Sequence, residues 1–267
     1  MVSTKQPTIE TAIQCVDEEM DLLETEQTAF RRFRARLAAI PPQQSTGRQL
    51  PTPGHDTAAV RHPDSKPLTE VKTAYRETVM AVPHYDREYG DTLRESLAAE
   101  FGAELARYLS ESQTLGPLAY SALLEESERA KTDRETLRTQ IQTERRSLLE
   151  MNESLNDLES ELHELSNRIS AAGTSKTLAR IDNRLAALEQ QCLDLVNRRQ
   201  TTIHDRRGQR LAGIEGTSLA QYLYQDMETV TPVLFEATRC LRTLQNQRTR
   251  CLTGVDDESA DNVGAIP

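Results

Sequence analysis

Two groups of residues in this chain have the types and spacing for chemistry. The first is the run His84-Tyr85-Asp86-Arg87-Glu88-Tyr89, with Arg76 and Glu77 a short way upstream. An imidazole close to two carboxylates and two phenols could move a proton or ligate a metal. Asp86 and Glu88 have no second histidine beside them, and a segment between two helices is polar by default. The expectation is therefore a capping and hydrogen-bonded connection, with Arg76, His84, Tyr85, Asp86 and Tyr89 as the candidate functional loop. The second group is eight arginines on two consecutive helical stretches: Arg138, Arg145 and Arg146, then Arg198, Arg199, Arg206, Arg207 and Arg210. Brought side by side they could hold a phosphate backbone or an acidic partner. Glu135, Glu144 and Asp205 dilute the patch, and charge runs on long helices are usually solvated faces. His163 and His204 read as solvated.

No G-x-x-x-x-G-K-[ST], G-x-G-x-x-G, G-x-S-x-G or H-E-x-x-H run occurs, so no cofactor is expected. Cysteines stand at 15, 192, 240 and 251 with no C-x-x-C pair. A disulfide framework or structural zinc would need a tighter cluster.

The elements that carry these residues are helices. Leu137, Ile141, Leu148, Met151, Leu155, Leu158, Leu162, Leu165 and Ile169 follow a spacing of threes and fours, with Glu144 as a polar member of the seam. A stripe repeating every 3.5 residues calls for a partner helix and a left-handed supercoil. The pattern breaks at 170–176 around Gly173 and resumes at Leu178, Ile181, Leu185, Leu188, Cys192 and Leu195. Helices joined by so short a turn are antiparallel neighbours, so residues 117–216 predict a coiled-coil hairpin with its tip near Gly173. Its first arm carries a net charge of −5 and its second +4, which favours their pairing.

Ahead of the hairpin, residues 1–40 carry a third seam: Ile9, Ile13, Val16, Met20, Leu23, Gln27, Phe30, Arg34 and Leu37. It ends at Pro41-Pro42, and it needs a partner in the same chain or in another. Residues 41–67 hold six of the eleven prolines and no aromatic, the composition of a flexible linker. Leu68 to Val82 and Leu93 to Tyr108 each show a helical apolar stripe, with Asp91 placed to cap the second. Gly116-Pro117 suits a helix start. Ser218-x-x-Gln221 is a capping box, and Thr231-Pro232 opens a last helix to about Leu252. The acidic stretch 253–267 is expected to be disordered.

Aromatics decide the proposed architecture. Six of eleven lie from Tyr75 to Tyr120, three are Tyr222, Tyr224 and Phe235, and none lies between. A hairpin folded at Gly173 would carry both groups to its base, so 68–116 and 217–252 are expected to build one small helical head. The predicted fold is all-α: hairpin, head and an additional long N-terminal helix.

Composition narrows the function. Of 267 residues 42 are Asp or Glu and 32 Lys or Arg, for a net charge of −10. General nucleic-acid binders carry basic domains, so that role ranks second. No apolar run approaches membrane-spanning length and the N-terminus lacks an apolar targeting segment; a cytoplasmic protein is expected. Arginine provides 27 of the 32 basic residues, a bias similar to that of proteins from salt-adapted hosts.

The run from Ala74 to Leu93, continuing at Ala98 to Leu105, together with Tyr222-Leu-Tyr-Gln-Asp226 and Pro232-Val-Leu-Phe235, resembles an uncharacterised haloarchaeal coiled-coil family. The likeness covers most of the chain outside the Pro-rich stretch and acidic tail. It implies a cytoplasmic archaeal origin and a domain of unknown function, and it carries over no catalytic residue. Taken with the seams, it points to a non-enzymatic interaction or scaffolding protein that self-associates or holds a protein partner. A nucleic-acid-associated regulator using the arginines is the alternative, and an enzyme or metal site at the His84 loop a third.

Overall fold

In a computed structural model, residues 8–42, 66–172, 174–205 and 218–263 are described, with side chains to residue 253. The described chain is helical throughout, without a strand: α1 (Ile9–Ala38), α2 (Lys66–Thr78), α3 (Tyr85–Glu88), α4 (Leu93–Phe101), α5 (Ala103–Glu111), α6 (Pro117–Ser170), α7 (Ser175–Asp205), α8 (Leu219–Tyr224) and α9 (Pro232–Val263). It divides into two compact units, Met1–Glu19 with Ile141–Pro267, and Met20–Gln140; the division falls within α1 and within α6.

In the first unit, every apolar seam position of α6 from Ile141 to Ile169 and of α7 from Leu178 to Leu195 is buried. Arg184 of α7 is bidentate on Glu161 of α6, with Nη2 to Oε2 at 2.7 Å. Arg199 reaches Glu144. Both pairs join residues at near-equal remove from position 173, the pattern of antiparallel helices. Gly173 itself lies outside the described residues.

A third helix closes this packing. Val233, Ala237, Cys240, Leu244 and Cys251 of α9 are buried at steps of 4, 3, 4 and 7. Arg248 donates to Asp182 at 3.0 Å and to Glu189 at 2.7 Å, and the Cys192 thiol donates to the Ala237 carbonyl at 3.5 Å. α9 therefore runs antiparallel to α7. Three cysteines in this core act as small apolar residues. On the other side of the helix Phe235 is 49% exposed. The last helix also continues past Leu252 to Val263 with no proline to stop it, where a disordered tail was expected.

In the second unit, α1 buries Glu26, Gln27, Ala29, Phe30, Phe33 and Leu37, a stripe wider than a two-position seam. That width is what a helix shows when it faces several neighbours. Phe33 replaces the expected Arg34, which is partly exposed and salt-bridged to Glu128. Phe30, Phe33, Tyr75 and Phe101 form an aromatic cluster with centroids 5.3–6.4 Å apart. By contact, α2 to α5 fall in the second unit and α8 and α9 in the first. α1 packs within its own chain.

Local signals explain the remaining boundaries. Thr92, not Asp91, caps α4, in a reciprocal capping box with Glu95. Gly102 at φ +83° ends that helix and starts α5, splitting a stripe that looked continuous; a side chain there would be strained. Ser218 and Gln221 form the expected box on α8. Residues 43–65, most of the predicted linker, lie outside the described residues.

Glu144 and Arg199 are 2% exposed and bonded at 2.6 and 3.1 Å, and Tyr224 Oη donates to the same carboxylate at 2.7 Å. Removing one partner strands a buried charge, whereas replacing the group by apolar residues does not. Glu144→Leu should cost about 3–5 kcal/mol in chemical denaturation, and the triple change Glu144→Leu/Arg199→Leu/Tyr224→Phe should restore most of it. A triple variant as unstable as the single one would overturn this account.

Candidate functional site

The residues with the most chemistry meet in the second unit around Glu26. α1 presents it because Phe30 and Phe33, on the same helix face, must enter the core. α2 ends at Thr78, and the connection to α4 turns His84 and Tyr85 inward around the single turn of α3, while Tyr89 stays half exposed with its hydroxyl against Glu26. His84 Nε2 lies 2.9 Å from Glu26 Oε1, which also accepts the Tyr89 hydroxyl at 2.7 Å. Opposite an ionised carboxylate, Nε2 carries the proton. Arg134 of α6 donates through Nε to Glu26 Oε2 at 2.7 Å. Its two terminal nitrogens reach Glu100 of α4 at 2.7 and 3.2 Å. The guanidinium also lies 4.4 Å over the Phe30 ring, a cation–π contact.

Burial would raise the pKa of Glu26, but the Arg134 charge and the hydrogen bonds from His84, Tyr89 and Arg134 outweigh it and hold the carboxyl below its usual range. Tyr89 shifts upward, first through burial and then through the Glu26 charge. Tyr75 shifts the same way through burial and Glu100. Burial also opposes the charge on Arg134, yet Glu100 and Glu26 keep it firmly protonated. All four carboxylate oxygens of Glu26 and Glu100 thus accept a hydrogen bond. That is a clasp, with no basic oxygen left over.

Of the candidate loop, His84 and Tyr89 join the clasp and Tyr85 lies beside it. Arg76 and Asp86 stay exposed and take no part. Glu26, Glu100 and Arg134 were missed by sequence reading. The signal was present for one of them: Ser127 and Arg134 extend the α6 seam backwards from Ile141 at steps of seven, and a charge on a seam demands a partner. Among the described residues, no group of three His, Cys, Asp or Glu is arranged to hold a metal ion.

Of the arginine group, the described members Arg138, Arg145 and Arg199 are paired with carboxylates. Arg138 belongs to the second unit and donates to Glu24 at 2.8 Å. In the first unit Arg145 pairs with Asp17, Arg199 is buried on Glu144, and Arg146 and Arg198 are exposed. Arg206, Arg207 and Arg210 lie outside the described residues. Asp17 and Glu24 are acids of α1, a helix whose partner the sequence left open. No described helix is long and apolar enough to cross a membrane.

Residues 7–248 match the family described as a domain of unknown function (DUF7260). The chain belongs to this family. No curated protein and no solved structure matches it. The match ends inside α9, and both the Glu26 clasp and the Glu144–Arg199 pair fall within the region that defines the family.

Two measurements test the clasp. Arg134→Met should destabilise the protein by about 3–5 kcal/mol because it strands the buried carboxylate of Glu26 and the partly buried one of Glu100; Arg138→Ala, which breaks an exposed pair, should cost only ~0.2–1 kcal/mol. Equal effects would mean that Arg134 is solvated. The lowered Glu26 value adds stability that is fully present above its unfolded pKa of about 4.5. That stability is lost as pH falls through the lower folded value. Unfolding free energy should therefore decline below pH 4.5, and Glu26→Gln should flatten that decline. An unchanged acid slope in the variant would refute the assignment.

Proposed function

We propose that the chain is a non-enzymatic, cytoplasmic scaffolding protein whose coiled-coil helices self-associate or hold a protein partner. The observation that carries this reading is the use of its buried ionisable groups. In the second unit Glu26, Glu100 and Arg134 saturate one another with His84 and Tyr89, and in the first Glu144, Arg199 and Tyr224 do the same. Such groups fix which helices meet and in what register. A general base needs an oxygen free to reach a substrate, and Glu26 has none.

The outer faces suit partners. Leu149, Leu193, Phe235 and Leu252 in the first unit and Leu118 in the second are exposed. An acidic, arginine-rich composition agrees with a salt-adapted archaeal host, in keeping with the haloarchaeal likeness. The nucleic-acid reading is weaker because Arg138, Arg145 and Arg199 are already paired with carboxylates of the same chain. Sedimentation analysis of the full chain over a wide concentration range should show a defined assembly. A particle that remains monomeric throughout, and that leaves its native host with no bound protein, would overturn the proposal.

A further inference from the structure

Two of the buried cysteines meet across a pair of helices. Cys192 of α7 and Cys240 of α9 are 0% and 2% exposed and belong to the same unit. The Cys192 sulfur lies 3.5 Å from the Ala237 carbonyl. In a helix that carbonyl points toward the next turn, where Cys240 stands. A cysteine side chain reaches only one sulfur beyond its Cβ, so a thiol touching the neighbouring main chain brings α7 and α9 close at this level. The two thiols are within hydrogen-bond reach of each other, and both are free. Packing asks only for a small apolar residue at each position. It does not ask for two sulfurs in contact.

The two thiols differ in acidity. The hydrogen bond from Cys192 holds the Cys240 thiol below its usual range, against the effect of burial. The same bond raises Cys192, and burial adds to that rise. The thiolate therefore forms first on Cys240. We propose that Cys192 and Cys240 are a thiol pair that hydrogen peroxide converts to a disulfide, fastening α9 to α7. Peroxide is small and uncharged, and it reaches the pair through local opening of the helices. The Cys240 thiolate attacks one peroxide oxygen: an S–O bond forms, the O–O bond breaks, and the departing hydroxide takes up a proton as water. The Cys192 sulfur then gives up its proton and attacks the Cys240 sulfur. The S–S bond forms, the S–O bond breaks, and hydroxide leaves as a second water. Together the two thiols lose two electrons and two protons, and the peroxide is reduced to two waters. In a reducing compartment such a pair stands as thiols and closes only under oxidant. The reaction is independent of the scaffolding role, which needs no oxidant.

The test exposes the folded full chain to a modest excess of hydrogen peroxide, alkylates the remaining thiols in denaturant and weighs the product by mass spectrometry. The expected product is lighter by two hydrogens and takes up two alkyl groups, where the untreated chain takes up four. Trypsin should release residues 185–198 joined to 240–242, with Cys15 and Cys251 alkylated. Closing a loop of about 48 residues should lower the unfolding equilibrium constant roughly thirty- to a thousandfold, and dithiothreitol should reverse the change. Cys192→Ala should abolish the link and leave Cys240 as a sulfenic acid that dimedone captures, whereas Cys251→Ala should keep the link. Two results overturn the proposal. The first is no bond between 192 and 240, whether the core thiols stay reduced or are oxidised singly, which would make them packing residues alone. The second is a disulfide that involves Cys15 or Cys251 instead.

Discussion

An arginine cannot be left alone inside a protein, and both units are arranged around that constraint. Arg134 stands in a helix seam where an apolar residue would serve packing better. Desolvating its guanidinium is offset only if carboxylates arrive from other helices. Glu26 comes from α1 and Glu100 from α4, and His84 and Tyr89 take the remaining lone pairs of Glu26. The first unit repeats the arrangement with Arg199 of α7, Glu144 of α6 and the Tyr224 hydroxyl of α8. In each unit one arginine, its glutamate and one phenol therefore tie together elements distant in sequence. Neither group resembles a catalytic pair, since every carboxylate oxygen of Glu26, Glu100 and Glu144 already accepts a hydrogen bond.

How much of this was legible follows from the same physics. Apolar periodicity is a local property, so the α6 and α7 seams, the capping boxes at Thr92 and Ser218 and the proline starts of α6 and α9 could be read directly. The charged members could not. Arg199 looks like any helix-surface arginine until the partner helix is known, Arg134 is marked by its seam position alone, which names no partner, and Glu26 stood next to the polar seam position Gln27 without distinction. Tyr120 and Tyr222 were expected at one place because the hairpin would bring them together; within its own unit Tyr120 donates to the Leu37 carbonyl, and Tyr222 within its own to Glu19. Phe30 and Phe33 had already completed the cluster around Tyr75.

The choice of arginine is itself informative. A guanidinium presents a planar fork and is weakly hydrated, so it can bridge two carboxylates and stack on a ring at once. Arg134 does all three on Glu26, Glu100 and Phe30. Lysine has one strongly hydrated charge and no plane, and at the same position it would leave one carboxylate oxygen or the Phe30 face uncovered. The strong preference for arginine across the chain thus has a structural consequence at these two seams, whatever set the composition. It also explains why surface pairs such as Arg138–Glu24 resemble the buried ones in geometry but not in weight. Solvent screens the former, whereas the latter stand in a medium where an unmet charge is costly.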